Sequence, residues 1–313
     1  MRILIGILYC IENEFKDCLN SISSQNYKNF EYFVIQNKPN KEAHDTLYSI
    51  FMERARDFDL FIKIDADMVL CRKDFFEKVV EKMILNPDVD LIETWVHDFF
   101  TDALIGSLNT FRNTVTWNIE NEQIFVDRIT NYKRRLTDKE DLAPAAFHCP
   151  NPLPFQSFHF GVHKAIKACQ FYNYEKQLMP AIEHWNNIVL TKMNFLKSGD
   201  LRIGLAALGA EMAIRKRFTS KQSEYSNLLL ISEFKKYENW DLKKIRRKLN
   251  SFSIQSYSFL PDKWRHEILF KINSGWFFGF INFQIARQIL KMIYFECKKI
   301  LFPSAFMKIN EKG

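Results

Sequence analysis

Two aspartates stand one residue apart at the end of a short apolar run, in the segment FIKIDADMVL (residues 61–70). Aspartate is common beside strand ends because it favours turns, so the pair gains meaning only from its surroundings. Carboxylate oxygens are the ligands that Mg²⁺ and Mn²⁺ prefer, and such ions usually keep substrate phosphates in other positions. Because Ala66 between Asp65 and Asp67 is small, a bulky ligand can approach the backbone there. The motif therefore indicates a cation site that receives a nucleotide diphosphate.

The segments around this motif alternate between strand and helix patterns. Ile3 to Tyr9 is a continuous apolar run, which is typical of a strand covered on both faces. Successive strand–helix units predict a parallel, doubly wound sheet, and in such sheets ligands bind outside the carboxyl ends of the strands. Asp65 and Asp67 follow the third strand, so they lie where a ligand site is expected. The other predicted strands are 30–37, 60–64 and 90–96, and the predicted helices are 14–25, 39–57 and 73–85.

The composition excludes a disordered chain and a chain that spans a membrane. Hydrophobic residues make up 47% of the 313 residues, and no stretch reaches the ~18 apolar residues that a transmembrane helix needs. The apolar N-terminus is followed at once by Glu12, Asn13 and Glu14, so it indicates a buried strand rather than a signal peptide. The formal charge of +7 suits an anionic partner.

The cysteines point to a reducing compartment. There are six, scattered along the chain without a C-x-x-C pair or a zinc-finger spacing. This pattern predicts reduced, mostly buried thiols in a cytoplasmic protein.

Two longer stretches resemble one known family. The segment LYCIENEFKDCLNSISSQNYKNFEYFVIQN (residues 8–37) is similar to the opening of GT-A fold glycosyltransferases, and KIDADMVL (residues 63–70) to their metal-binding strand end. The group they resemble is the family-two group, which builds bacterial surface polysaccharides. The resemblance implies an α/β fold with a GT-A-like, doubly wound, mostly parallel sheet, and a Mn²⁺ or Mg²⁺ cofactor. The donor-binding residues that it implies are Tyr9, Glu12, Asn37, Lys63, Asp65, Ala66 and Asp67, with Asp65 and Asp67 as metal ligands.

The loop after the second predicted strand departs from the family pattern. Many relatives carry consecutive acidic residues there, whereas this sequence has Gln36-Asn37-Lys38-Pro39-Asn40. Asn37 can still bind a base or a ribose. The resemblance thus implies a nucleotide-sugar donor, most often a UDP-sugar in such enzymes, and leaves its identity open.

The resemblance weakens after residue 100 but extends to two further segments. Residues 158–176 are similar to the segment that lines the acceptor side of relatives. Residues 183–204 are similar to a stretch with a Glu-Asp pair followed by a helix, a glycine and a strand. His184 stands in place of the catalytic Asp of that pair, so either Glu183 or His184 is the candidate base.

Histidines and aspartates near these segments complete the set of candidates. Gly161 lies between His159 and His163 and argues against a regular helix there. His184, His163 or His159 is alternatively a further metal ligand, since a histidine completes the metal site in several GT-A groups. The expected acceptor-side residues are Asp98, Asp102, His159 and His163.

The chain is predicted to divide near residue 215 into a catalytic domain and a helical C-terminal extension. The extension carries basic runs, and its segment 275–283 is strongly aromatic. Either it packs on the catalytic domain, or residues 243–301 contact the inner face of an anionic membrane. No nucleic-acid motif accompanies the charge, so no nucleic-acid partner is expected. The predicted parts are a nucleotide-sugar half at about 1–100, an acceptor half at about 101–215, and the extension at 216–313.

Together these patterns predict a metal-dependent, inverting glycosyltransferase. Its acceptor would be a growing surface glycan, such as a capsule or a lipopolysaccharide, or a lipid-linked glycan. One alternative is a haloacid-dehalogenase-like phosphatase with Asp65 as nucleophile, although in that class the aspartates normally follow the first strand. The other alternative is a non-catalytic relative that binds a nucleotide sugar or a glycan.

Overall fold

The computed structural model describes residues 1–118, 130–169 and 178–250, and of residues 178–183 it describes the backbone alone. These residues belong to the unit Met1–Phe252. A second unit comprises Ser253–Gly313 and lies outside the described residues. The aromatic and apolar segments predicted for the C-terminal extension lie there too.

The chain begins with the predicted alternation of strands and helices. The first strand pairs in parallel with the two that follow it, in a register that sets Ile3 opposite Phe30 on one side and Leu60 on the other. This confirms the parallel, doubly wound start of the sheet. The elements are β1 (Ile3–Tyr9), α1 (Phe15–Ser23), β2 (Phe30–Gln36), α2 (Asn40–Glu53) and β3 (Leu60–Asp65).

Further strands widen the sheet beyond β3. The strand order is β2-β1-β3-β6-β5-β10-β4, with β9 paired to β5, while β7 and β8 form a separate two-stranded ribbon. Strands β4 and β6 run antiparallel to their neighbours, and the others share one direction. The sheet is thus mixed but mostly parallel, as predicted. The added elements are β4 (Met68–Leu70), α3 (Phe75–Leu85), β5 (Leu91–Asp98), β6 (Ala103–Arg112), β7 (Thr116–Trp117), β8 (Thr130–Asn131), β9 (Arg135–Asp138) and β10 (Ala146–His148).

The antiparallel strand β6 was not predicted, and a tight turn accounts for it. Oδ2 of Asp98 accepts hydrogen bonds from the backbone N–H of Thr101 at 2.8 Å and from its hydroxyl at 2.7 Å. Asp102 then adopts a left-handed backbone with a φ of 50°, which aspartate tolerates better than most residues. The turn folds β6 back between β3 and β5.

Both faces of the sheet are covered, and β1 shows why its sequence is apolar throughout. Ile3, Ile5 and Ile7 belong to one buried cluster, which also contains residues of α1 and α3. Leu4 belongs to a second cluster, where it is joined by Phe51 of α2. A strand with helices on both sides has no solvated face, so its side chains do not alternate in polarity.

Helices follow β10, and the first of them corrects a prediction. The segment around Gly161 is a regular helix, so the expectation that this glycine interrupts it was wrong. A Cβ atom at Gly161 would lie 1.7 Å from the carbonyl oxygen of Ala206. Gly161 is therefore a packing residue, which lets two helix backbones come close together. These helices are α4 (Pro154–Cys169), α5 (Leu178–Ser198) and α6 (Leu201–Lys216).

The segment after Gly199 is a helix, where the family resemblance implied a strand. Gly199 adopts a φ of 69°, and the side chain of Asp200 then caps α6 by accepting the N–H of Arg202 at 2.8 Å. Asp200 also pairs with the guanidinium of Arg202 at 2.8 Å. This aspartate thus serves as the N-cap that starts α6.

Two short helices complete the described chain: α7 (Leu228–Lys235) and α8 (Leu242–Asn250). The structure confirms the helix predicted for the basic segment at α8. Ile245 and Leu249 are fully buried, while Lys243, Lys244 and Arg247 are exposed. Within the described residues, no helix combines the length and the apolar character that crossing a bilayer requires.

Candidate functional site

The carboxyl ends of β1, β2 and β3 meet at one edge of the sheet, as the parallel register requires. The backbone N–H of Ala66, just after β3, donates a hydrogen bond to the carbonyl of Leu8 at 3.0 Å. Asn37, just after β2, donates its N–H to the carbonyl of Tyr9 at 3.0 Å and adopts a φ of 56°. The predicted donor-binding residues at these strand ends are therefore neighbours.

Asp67 lies at the centre of a cluster formed by the segments that follow β3 and end β10. Its Oδ2 atom accepts a hydrogen bond from Sγ of Cys149 at 3.1 Å and lies 3.4 Å from Nε2 of His148. That sulfur and that nitrogen are themselves 3.7 Å apart. One ligand atom from each residue thus lies within 4.8 Å of the others, and such a group could hold a metal ion.

His148 is held between two carboxylates. Its Nδ1 atom donates to Oδ1 of Asp98 at 2.6 Å, and its Nε2 atom faces Asp67. Burial alone would lower the pKa of His148, but the charges of Asp67 and Asp98 and their hydrogen bonds raise it to about 10. For Asp67, burial alone would raise the pKa, but the charge of His148 lowers it to about 2. The trio is therefore an imidazolium between two carboxylates at neutral pH.

Cys149 is fixed by its backbone as well as by its thiol. Its φ of 50° lies in the left-handed region, which a non-glycine residue rarely adopts. Its N–H donates to the carbonyl oxygen of Asp67 at 2.8 Å. Burial, and then the charge of Asp67, raise the pKa of the thiol well above its usual range. The strained backbone turns the thiol back toward the end of β3.

A buried brace ties the loop after β10 to the loop after β1. Glu14 is 1% exposed, and its carboxylate accepts the backbone N–H of Asn151 at 3.0 Å and the side-chain amide of Gln156 at 2.8 Å. The amide oxygen of Gln156 in turn accepts the backbone N–H of Asn13 at 3.2 Å. These bonds fix the loop that follows Cys149, so they hold the thiol in place indirectly.

Glu12 sits on the same loop and carries an unusual carboxyl. Its Oε2 atom accepts the backbone N–H of Cys10 at 2.6 Å. Burial, followed by the charge of Asp67, raises its pKa from 4.5 to about 7. The raised pKa means that Glu12 holds a proton more readily than an ordinary glutamate does.

Asp65 faces a different cation from Asp67. Its carboxylate pairs with Nζ of Lys63 at 3.1 Å, and the side chain is 35% exposed. Asp65 lies outside the ligand group of Asp67, His148 and Cys149 found among the described residues. Asp67 is the less exposed of the two predicted metal ligands, at 18% against 35% for Asp65.

Two further contacts shape the edge near β1 and β2. The ring of Tyr9 stacks on Phe15, with centroids 4.0 Å apart. Both carboxylate oxygens of Glu224 lie 3.1 Å from the backbone N–H of Asn40, which begins α2. The segment before α7 therefore reaches back to this edge of the sheet.

The predicted acceptor-side histidines lie on α4. Nε2 of His159 lies 2.8 Å from the carbonyl oxygen of Ser223, and its ring stacks on Tyr225 at 3.7 Å. Burial lowers the pKa of His159 to about 4, so it is neutral at physiological pH. Burial, and then the charge of Lys167, lower the pKa of His163 well below its usual value. The ligand group at Asp67 in the described part of the chain includes neither histidine.

The remaining candidates are spread over other elements. Asp98 is fully buried behind His148. Asp102 is 52% exposed and lies 3.5 Å from both Nε2 of His97 and Nζ of Lys197. Glu183 and His184 fall within α5, and the side chain of Glu183 lies outside what the structure describes. The roles predicted for these residues stay predictions.

Sequence reasoning missed His148, Cys149, Glu14 and Gln156 as members of this site. A signal existed for the first two: His148 and Cys149 follow a short apolar run, as Asp65 and Asp67 do. That run is only three residues long as strand β10, which is too short to recognise by its pattern. The brace had no signal, because Glu14 and Gln156 are distant in sequence and meet only in the fold.

Comparisons with known proteins return structural likenesses and no sequence family. No family model matches the chain, and no curated protein matches it either. Among solved structures, A197 from STIV is 16% identical with a TM-score of 0.30, covering 40% of this chain and 71% of its own. TarS from S. aureus is 12% identical with a TM-score of 0.34, and the match covers 82% of this chain and 54% of TarS. At these values neither likeness says anything about substrate or reaction.

The fold and the site nevertheless define a class in structural terms. The chain contains a mixed, mostly parallel α/β sheet with helices on its faces. At the carboxyl edge of that sheet, an aspartate, a histidine and a cysteine form a group that could hold a metal ion. The donor set is compatible with a divalent cation, although it is not made of oxygen ligands alone.

Proposed function

We propose that the chain is a glycosyltransferase that moves a sugar from a nucleotide-sugar donor to a glycan acceptor. The observation that supports this most directly is the position of Asp65, Ala66 and Asp67. They stand at the carboxyl end of β3, beside the ends of β1 and β2, which is where doubly wound sheets bind their ligands. A bound divalent cation, Mn²⁺ or Mg²⁺, would neutralise the leaving diphosphate there.

The residues at this edge would bind different parts of the donor. Asp67 offers the less exposed carboxylate for the cation, and Asp65 offers the more exposed one. Lys63 adds a positive charge beside Asp65, where it can meet a phosphate oxygen. Tyr9, Glu12 and Asn37 lie at the neighbouring strand ends, where the nucleoside would bind.

The acceptor side is proposed to lie toward α4 and α5. Asp102, His159 and His163 are the proposed acceptor contacts, and Glu183 or His184 the base of an inverting displacement. Asp98 is buried against His148, so we propose that it orients that ring rather than touching an acceptor. The acceptor class is a surface glycan or a lipid-linked glycan.

A membrane-bound acceptor would suit the cationic face of α8. Lys243, Lys244 and Arg247 are exposed on this helix, while Ile245 and Leu249 are buried beneath them. Basic side chains near an anionic surface attract it, and the attraction is screened by salt. We propose that this face gives peripheral contact with the cytoplasmic leaflet.

The proposal is tested by measuring the thermal stability of the chain against a panel of nucleotide sugars, with Mn²⁺ or Mg²⁺ present and with EDTA. A cation-dependent rise in melting temperature for one nucleotide class, followed by donor turnover, is the expected result. Asp67→Asn should abolish turnover, whereas Asp17→Asn, on the exposed face of α1, should leave it unchanged.

Other outcomes would point to the alternative classes. Release of phosphate from a sugar phosphate, without an acceptor, would indicate the phosphatase with Asp65 as nucleophile. Donor binding without turnover would indicate a binding protein. If no nucleotide sugar changes the melting temperature under either cation, the glycosyltransferase proposal is wrong.

A further inference from the structure

We propose that Asp67, His148 and Cys149 form a three-ligand site for a borderline transition-metal ion, such as Zn²⁺ or Co²⁺, with a fourth position left open. Only the role of the ion rests on the proposed function, because the ligands follow from the geometry of the three side chains. It differs from a site made by Asp65 and Asp67, because two of its three ligands are a nitrogen and a sulfur.

The separations of the ligand atoms carry the proposal. The oxygen of Asp67, the nitrogen of His148 and the sulfur of Cys149 lie 3.4, 3.1 and 3.7 Å apart in the pairs O–N, O–S and N–S. Ligand bonds of about 2.0–2.3 Å at tetrahedral angles place such atoms about 3.3–3.6 Å apart. The three side chains are thus already close to the positions that a tetrahedral ion would require.

The imidazole is oriented in the way that metal-binding histidines usually are. Nδ1 of His148 donates to the carboxylate of Asp98, which leaves Nε2 directed at Asp67 and Cys149. Asp98 is itself fixed by the backbone N–H and the hydroxyl of Thr101. A carboxylate behind the ring sets its tautomer and orientation, and such partners accompany most histidine ligands.

The thiol and the carboxylate are also preset. The left-handed backbone of Cys149 and the bond from its N–H to the carbonyl of Asp67 place the sulfur against Oδ2. Oδ1 of Asp67 is buried, and no described residue donates a hydrogen bond to it. A buried acceptor oxygen without a donor is costly, and a cation held at Oδ2 of the same carboxylate would reduce that cost by neutralising its charge.

The donor set decides the kind of ion. Mg²⁺ requires near-octahedral oxygen ligands, whereas a thiolate and an imidazole together select Zn²⁺, Co²⁺ or a similar ion. On binding, the ion replaces the proton on Sγ of Cys149 and the proton on Nε2 of His148, and both protons pass to solvent. Three protein ligands leave a fourth position, which is the pattern of zinc sites that bind a substrate or water.

Cobalt gives a direct reading of the ligands in the full-length chain. After treatment with a chelator and its removal, Co²⁺ is titrated while the absorption spectrum is recorded. We expect a thiolate-to-cobalt charge-transfer band in the near ultraviolet and intense visible bands of a four-coordinate ion. The charge-transfer band should disappear in Cys149→Ser and persist in Cys71→Ser, whose thiol is exposed on another loop.

If Cys149→Ser fails to fold, competition between metal ions in the wild-type chain tests the site instead. Zn²⁺ added in equimolar amount should displace Co²⁺, and a large excess of Mg²⁺ should not. Displacement by Mg²⁺, the lack of a charge-transfer band in the wild type, or an unchanged band in folded Cys149→Ser would each overturn the three-ligand site.

The same measurements separate this inference from the proposed function. If the cobalt spectrum behaves as expected and no nucleotide sugar turns over, the site stands and the glycosyltransferase proposal fails. If turnover depends on Mg²⁺ or Mn²⁺ and the wild type shows no thiolate-to-cobalt band, the function stands and the three-ligand site fails.

Discussion

Asp98, buried at the end of β5, accepts a hydrogen bond from Nδ1 of His148 at 2.6 Å, and the opposite nitrogen of that ring faces Asp67. The contact joins two strands, β5 and β10, that pair in parallel and set His148 beside Asp98 in register. The pair is therefore a product of the sheet itself. Any change at Asp98 should alter both the stability of the fold and the position of His148.

Asp98→Asn should destabilise the protein by about 3–5 kcal/mol, which is the usual cost of removing one partner from a buried ion pair. His148 would remain enclosed with less opposing charge, and Thr101 would lose a charged acceptor. Urea denaturation measures the change in the free energy of unfolding. Asp102→Asn is the matched control, because Asp102 is 52% exposed and its loss should change this free energy by less than about 0.5 kcal/mol. Equal effects of the two variants would show that the buried pair has no special role.

Gly161→Ala should destabilise the contact between α4 and α6. The added Cβ would lie 1.7 Å from the carbonyl oxygen of Ala206, so the two helix backbones must separate. Overpacking of this kind costs about 1–3 kcal/mol and sometimes more, and a backbone clash belongs at the upper end. Gly106→Ala is the control, since its Cβ would meet the movable carboxylate of Glu93 at 3.1 Å. A lower melting temperature for both variants alike would contradict the packing role of Gly161.

The sequence predicted the first half of the sheet well because its signals are local. A fully apolar strand such as β1, and the aspartates after β3, can be recognised from a few neighbouring residues. Strands β4 and β10 are three residues each, and no periodicity can develop over that length. The site is assembled by pairing β10 with β5, a contact between segments about 50 residues apart. Its histidine and cysteine follow a run too short to recognise as a strand, whereas its aspartates follow a longer one.

At Gly161 the sequence predicted a helix break that the structure does not have. Glycine weakens an isolated helix, so the sequence favoured a break between His159 and His163. The fold instead uses the missing side chain to bring α4 against α6, and Gly209 does the same from the other helix. Tertiary packing outweighs the local propensity here, and only the partner helix reveals it.

Glu12→Gln should raise stability at alkaline pH and change it little at acidic pH. Burial, with a contribution from Asp67, raises the pKa of Glu12 from 4.5 to about 7. A raised carboxyl pKa means that the stabilisation by the protonated form is fully present below about pH 4.5 and is lost as the pH rises through about 7. The variant has no such loss, so its melting temperature should exceed that of the wild type at pH 8 and match it near pH 4.5. Glu77→Gln, at an exposed position of α3, is the matched control for the substitution itself. A constant difference across this range would show that Glu12 titrates normally.

His159 contributes a pH dependence of stability opposite to that of Glu12, because its contribution is lost as the pH falls. Burial lowers its pKa from 6.5 to about 4, so the neutral ring that stacks on Tyr225 is favoured in the folded chain. Its contribution to stability is present above about pH 6.5 and is lost as the pH falls toward 4. In His159→Gln the loss of stability between pH 7 and pH 5 should be smaller than in the wild type, measured by urea denaturation. An unchanged acid slope would assign that loss to other groups.

Glu183→Gln and His184→Ala test the proposed base once a donor and an acceptor are known. Losing a general base typically lowers the rate about 10²–10⁴-fold. The binding of the nucleotide sugar should be retained, because both residues lie on α5 and are proposed to act on the acceptor side. Met193→Ala, at an exposed position of the same helix, is the control for helix stability. Near-normal turnover in both variants would mean that the base lies elsewhere or that the reaction retains configuration.

Reversing the charge of α8 should weaken binding to anionic membranes. Lys243, Lys244 and Arg247 are exposed, whereas Arg246 lies over the ring of Phe195 and is best left intact. Each basic residue near an anionic surface contributes about 1 kcal/mol, so changing all three to Glu should lower vesicle binding at least 100-fold. Flotation with vesicles of anionic lipid should show wild-type binding that falls as salt rises.

The control for α8 reverses three exposed lysines outside that helix, at Lys28, Lys73 and Lys133. The net charge of the two triple variants is then the same, so only the position of the charge differs. Transfer to a soluble acceptor should be equal in both, because neither set lies at the carboxyl edge where Asp67 and His148 meet. If both variants lose vesicle binding equally, net charge rather than the α8 face is responsible. If the wild type binds neutral and anionic vesicles alike, electrostatic attraction through α8 does not occur, and its basic residues serve only to solvate a packed helix.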